Sequence, residues 1–97
     1  MPRIVRTDRA CADAEEVAAY IAQNSQAAAE RWLERLDRVL AFLASEPEMG
    51  ERVDDLSPGV RRHCFGNYLV FYVPIDGGIE LRRVLHGARR IEDLNQQ

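Results

Sequence analysis

The chain has 97 residues, enough for one hydrophobic core and too few for two, so a single domain over residues 1–97 is expected. Its 46% hydrophobic content argues against disorder, and no run approaches the roughly 18 apolar residues of a membrane span. The net charge of −3 hides an asymmetry: Asp8 to Leu56 holds five Arg against twelve acids, whereas Val60 to Arg90 holds six Arg against Asp76 and Glu80. The first part is therefore at −7 and the second at +4. All 13 cations are Arg, which removes lysine as a catalytic group. Arg3, Arg6 and Arg9 interrupt any signal-peptide pattern near Met1, so a cytoplasmic protein is expected. In a reducing compartment, Cys11 and Cys64, far apart and without CxxC spacing, read as small buried hydrophobes; no metal and no cofactor is expected.

In chain order, Arg3 to Thr7 is a short possible strand that must pair elsewhere to persist. Thr7 or Asp8 can cap a helix to about Gln23 with Ala10, Ala14, Val17, Ala18 and Ile21 on one face. Asn24-Ser25 breaks and re-caps the chain. A longer helix then runs to about Ser45, with Ala28, Trp32, Leu36, Val39, Leu40 and Leu43 as its apolar stripe and Trp32 as packing anchor. Glu34–Arg38 and Glu30–Arg35 offer opposite charges near helical spacing, each worth about 0.3 kcal/mol. Pro47 stops this helix, and Glu48 to Gly59 reads as a loop.

From Val60 to His86 the pattern changes to three strands in a meander. Gly66-Asn67 is a two-residue hairpin loop with Gly first, and Asp76-Gly77 offers a type I′ turn. Tyr68 to Val73 is apolar throughout, as a central strand covered on both faces should be; Tyr68, Val70 and Tyr72 share one face, Leu69, Phe71 and Val73 the other. Strict alternation in the last strand puts Ile79, Leu81, Arg83 and Leu85 on one row and Glu80, Arg82, Val84 and His86 on the other. Arg83, on the more apolar row, reads as a structural arginine needing a carboxylate, plausibly from a helix. Arg82 and His86, with Arg61 or Arg62 on the neighbouring strand, read as partner-facing. Gly87 permits a turn, and Ile91 to Gln97 can form a short C-terminal helix.

Strand, helix, helix, three strands and a tail, together with AAYIA at Ala18–Ala22, EP..G at Glu46–Gly50, LSPGVR at Leu56–Arg61, FGNYLVFY at Phe65–Tyr72 and IELRRVLHGAR at Ile79–Arg89, resemble the ParE/RelE superfamily of toxins from bacterial type II toxin–antitoxin systems, and within it the ParE branch. Arg90 departs from the pattern, standing where family members often carry Asp. The resemblance implies an α+β domain: a short strand, a helical hairpin on an antiparallel meander, and a short terminal helix. It also implies a toxin neutralised by a cognate antitoxin, a ParD-like ribbon-helix-helix protein, with DNA gyrase as target. RelE-like relatives instead cleave messenger RNA on the ribosome, and a non-toxic binding or co-repressor module is a third role for the same fold.

Residue chemistry bears on the choice. RNA cleavage needs a base for the 2′-hydroxyl, an acid for the leaving oxygen and cations for the phosphorane. Arg61, Arg82 and His86 are the catalytic candidates under that alternative, with Glu48 or Glu51 as loop-borne bases. A chain at −3 suits ribosomal RNA poorly, since each phosphate contact there rewards positive charge. Under the favoured reading no residue is catalytic; Arg61, Arg62, Arg82, His86 and Arg89 face a protein partner, while Arg83, Trp32, Gly66 and Gly77 are structural.

Overall fold

Thr7 joins the first strand to the first helix with no residue to spare. Its N–H and its hydroxyl both donate to the Leu81 carbonyl, at 3.2 and 3.1 Å, while the hydroxyl oxygen accepts from the Ala10 N–H at 3.1 Å. One side chain thus caps a helix N-terminus and fixes that helix to the sheet. The computed structural model describes residues 2–87 and gives the order β1 (Arg3–Arg6), α1 (Asp8–Ala22), α2 (Gln26–Ser45), β2 (Glu51–Arg52), β3 (Arg61–Phe65), β4 (Tyr68–Ile75) and β5 (Gly78–His86). Ser25 caps α2 through Ala28 N–H at 3.1 Å, which sets the hairpin between the helices. The short C-terminal helix expected over 91–97 lies outside the described residues.

The strands form one sheet in the order β1-β5-β4-β3-β2. β1 pairs in parallel with β5, which is possible because the two helices supply the crossover; all other pairings are antiparallel. The helices cover one face. Trp32, Leu36, Leu40 and Leu43 pack there against Val70, Tyr72, Ile79, Leu81 and Val84. Burying each of these leucines fully is worth about 2 kcal/mol. The other face is covered by the loop between β2 and β3, whose Val53, Leu56 and Val60 pack with Phe71 and Leu85 and with Leu69 and Val73. The unbroken apolar run of β4 follows from this double burial.

Several expectations need correction. The loop after α2 contains β2, two residues long, which the sequence pattern missed because Glu51-Arg52 carries no apolar signal. The strict alternation assigned to β5 fails at a bulge: Phe71 faces Arg83 while Tyr72 faces Leu81, leaving Arg82 as the extra residue. Val84 therefore joins Ile79 and Leu81 in the helix-side core, and Leu85 goes to the opposite one. At Asp76-Gly77 only Gly77 takes a positive φ, of 82°, so the turn is not type I′, which needs two; Asp76 has a Cβ and stays out of the left-handed region. Gly66, at φ 59°, holds its expected place. Cys11 and Cys64 are both exposed rather than buried. Among the described residues, neither Glu34–Arg38 nor Glu30–Arg35 forms an ion pair; Arg35 instead lies 5.5 Å over the Phe65 ring.

Gly78 carries a constraint that sequence reasoning did not see. A Cβ there would overlap the backbone of Arg3, because β1 presses against β5 at that point, whereas a Cβ on Gly77 meets nothing. Replacing Gly77 with Val should cost about 1 kcal/mol, through positive φ alone. Gly78→Ala should cost about 3 kcal/mol or more by displacing β1. Urea midpoints of the two variants check the order, and a smaller loss for Gly78→Ala would contradict the close approach of the two strands.

Candidate functional site

β1 ends at Arg6, opposite Leu81, and leaves the outer edge of β5 without a strand beyond that point. Asp13 of α1 takes over. Its Oδ2 accepts from Arg83 Nε at 2.7 Å and from the Val84 N–H at 3.0 Å, and its Oδ1 accepts from an Arg83 terminal nitrogen at 3.1 Å. The two side chains are only 9% and 12% exposed, so the fork-shaped pair is largely dry. The carboxylate that Arg83 needs is thus Asp13. A sequence signal for it existed: Asp13 lies three residues after Ala10 and four before Val17, a charge on the apolar stripe of α1.

Beside this clamp, α1 and the end of β5 border a cleft of about 700 Å³, lined among others by Glu16, Val17, Tyr20, Tyr68, Val84 and His86. Tyr68 meets the His86 ring edge-on at 5.3 Å and stacks in the same manner on Trp32, at 5.3 Å. Tyr20 stands 67% exposed at the mouth. Trp32 completes the aromatic group through Phe65, 5.6 Å away, and its Nε1–H has no acceptor among the described residues. Its role is packing.

The arginines expected to meet a partner are largely engaged within the chain. Arg61 donates one terminal nitrogen to the carbonyls of Glu48, at 3.1 Å, and Gly50, at 2.7 Å. Arg62 pairs with Glu51, and Arg82 with Glu80 at 2.6 Å. Arg89 lies outside the described residues. Nor does the sheet gather Arg61 and His86: they align with Tyr72 and Tyr68, four residues apart on β4, a separation of about 13 Å at the usual rise per residue. Glu51 neutralises Arg62 instead of aiming at His86. Among the described residues no cluster of His, Cys, Asp and Glu has the makings of a metal site. No helix among them is long and apolar enough to cross a membrane.

Beneath Arg61, the buried Tyr72 hydroxyl donates to the Pro47 carbonyl and accepts from the Gly50 N–H, both at 2.8 Å. Gly50 is required there, because a Cβ would lie 2.5 Å from that hydroxyl. Burial pushes the Tyr72 phenol above its ordinary 10.0, against the smaller opposing pulls of the Gly50 N–H and Arg61. In the loop covering the far face, the Gly59 N–H donates to Asp54 and, with Arg52, holds that carboxyl below the usual range.

With strand order, helical hairpin and the EP..G latch in place, comparison with known families is decisive. A family model described as ParE toxin of type II toxin–antitoxin system, parDE, matches residues 4–91. The chain belongs to this toxin family. It is 34% identical over 91 residues to the toxin RelE2 of Caulobacter vibrioides, covering 92% of this chain and 99% of that one. It is also 36% identical over 59 residues to the toxin ParE1 of two Mycobacterium tuberculosis strains, which is 60% of each chain. That match therefore spans less than two thirds of the mycobacterial toxins' length. The quoted motifs, which include Gly50, Tyr72 and Arg83, and Asp13 with them, all fall within the residues that the family model matches.

Two outcomes follow. Asp13→Ala strands a buried guanidinium and should destabilise the protein by about 3–5 kcal/mol, read as a fall in the urea midpoint; a loss under about 1 kcal/mol would mean that Arg83 is hydrated. The raised Tyr72 phenol gives a pH signature. The unfolded phenol ionises first, near 10.0, so this contribution is complete below that pH and is lost as pH rises through the higher folded value. Stability measured from pH 9 to 11 should fall more steeply in the wild type than in Tyr72→Phe.

Proposed function

We propose that this chain is a ParE-type toxin that inhibits DNA gyrase by binding rather than by catalysis, and that a cognate ParD-like antitoxin of ribbon-helix-helix type neutralises it in the cytoplasm. The observation that carries this reading is the engagement of the sheet arginines: Arg61, Arg62, Arg82 and Arg83 bond carbonyls or carboxylates of their own chain. A general acid–base site on RNA needs a base, an acid and cations within reach of one phosphate. Arg61 and His86 are instead held on different strands, on either side of β4 and four residues apart along it. A framework that fixes its arginines internally suits a rigid binding surface.

The RelE-like alternative, a ribosome-dependent messenger RNA endonuclease, is kept because a relative bearing the name RelE2 matches almost end to end. Arg61, Arg82 and His86 are its candidate residues. A non-toxic binding or co-repressor module is the third possibility.

Inducing the chain in cells while following DNA and protein synthesis separates these readings. DNA synthesis should stop first with a DNA-damage response, and messenger RNA should stay intact in a ribosome-containing translation reaction. Cuts in the message that vanish in Arg61→Ala or His86→Ala would decide for the endonuclease, and unaffected growth would decide for the non-toxic module.

A further inference from the structure

β2 meets β3 in only two residue pairs. Glu51 opposes Arg62 and forms an ion pair with it, but Arg52 directly opposes Arg61. The Val53 N–H donates to the Val60 carbonyl, so 52–61 is the pair of that ladder whose members share no backbone bonds, the position in which side chains come closest. Like charges opposed in this way destabilise a sheet. Asp54 relieves Arg52, accepting from its terminal nitrogen at 2.7 Å, in a pair exposed enough for solvent to screen. No ion pair among the described residues relieves Arg61.

Arg61 is nonetheless held still, because one terminal nitrogen gives both of its hydrogens to the carbonyls of Glu48 and Gly50. The Nε–H and the other terminal nitrogen form the side-on fork of a guanidinium, and none of the bonds that Arg61 makes among the described residues uses it. Together with Arg52, Gly59, Val73 and Pro74, Arg61 lines a hollow of about 290 Å³. Among the described residues no carboxylate lines it: Asp54 has its oxygens committed to Arg52 and the Gly59 N–H, and Glu51 is committed to Arg62. Two guanidinium groups thus border a hollow with no acid in its wall, to which Val73 and Pro74 add an apolar side. It sits at the Val73 end of β4, whereas the cleft described above sits at the Tyr68 end.

We propose that this hollow is a binding site for a phosphate group, free or carried as a monoester on a small molecule, held by the Arg61 fork and by Arg52. Such a group carries about −1.5 to −2 charge at pH 7, which answers two cations where a carboxylate answers one. Its oxygens also suit the bidentate geometry of a guanidinium whose position is already fixed. A nucleic-acid backbone offers one charge per phosphate, and the chain's net charge of −3 disfavours so long a polyanion. Bound there, the anion removes the repulsion between Arg52 and Arg61 and ties β2 to β3. Nothing in the site depends on the cellular target of the chain.

The test titrates the full chain, labelled for amide NMR, with sodium phosphate, phenyl phosphate and a short single-stranded DNA, while sodium chloride holds the ionic strength constant. The amide signals of Arg52, Gly59 and Arg61 should move with either phosphate, those of Tyr68 and His86 should stay, and the melting temperature should rise with ligand. Tighter binding of phenyl phosphate identifies a monoester as the ligand, and equal or weaker binding identifies inorganic phosphate. Arg52→Gln should melt no lower than wild type in chloride, because it removes the like-charge pair, and should bind phosphate about tenfold or more weakly. Arg61→Lys keeps the charge but loses the fork, and should weaken binding by a similar factor. Arg38→Gln, on α2, should bind as the wild type does. If Arg61→Lys melts early, Arg52→Gln carries the comparison alone. Shifts no larger than those chloride produces, equal affinity of Arg52→Gln and wild type, or tighter binding of the DNA than of either phosphate would each overturn the proposal.

Discussion

The Asp13–Arg83 pair ties the two layers of this protein together. A parallel edge strand only four residues long leaves the outer edge of β5 beyond Leu81 without a strand among the described residues, and a buried open edge is costly. Asp13 meets that need from the helix above, accepting from Val84 as a strand would while its other bonds neutralise Arg83. The bulge at Arg82 belongs to the same arrangement. It moves the alternation by one residue, so that Val84 enters the helix-side core and Leu85 the far one. Desolvation offsets much of such a pair's attraction, so its consequence is chiefly a unique register of α1 on the sheet.

A second latch works at the other end of the sheet by the same logic. Where α2 ends, the chain must turn back over β3, and that turn exposes carbonyls that need donors. Tyr72 and Arg61 supply them at Pro47, Glu48 and Gly50. A phenol and a guanidinium from adjacent strands thus fix the approach to β2. Of the sheet arginines, Arg62, Arg82 and Arg83 are in this way paired with Glu51, Glu80 and Asp13, and Arg61 is held by backbone carbonyls.

The helical half shows the converse. Its total charge is strongly negative, yet three cations without a carboxylate partner among the described residues, Arg31, Arg35 and Arg38, line up on one α2 flank where helical spacing collects them. Asp37 pairs with Arg6 of β1 on the opposite flank, which leaves the Arg31–Phe42 row as the charged border nearest β3. Potential at a surface depends on which charges lack neighbours, not on the sum over a segment.

What the sequence by itself determined is whatever short-range chemistry dictates. The caps at Thr7 and Ser25, the helical stripes through Trp32 to Leu43, the glycine-led hairpin at Gly66 and the doubly buried β4 all follow from spacing and backbone preference over a few residues. Tertiary structure alone decided the features that depend on residues distant in the chain. β2 exists only because Arg61 and Arg62 lie opposite it; the bulge at Arg82 exists because two cores must both be filled; Gly78 is needed because β1 arrives from 75 residues earlier, at Arg3. The candidate site was legible as a set of residue types and illegible as an arrangement. A guanidinium reads the same in sequence whether a carboxylate 70 residues away neutralises it, as at Arg83, or no carboxylate among the described residues does, as at Arg31, and only the fold brings the partner within 3 Å or leaves it away.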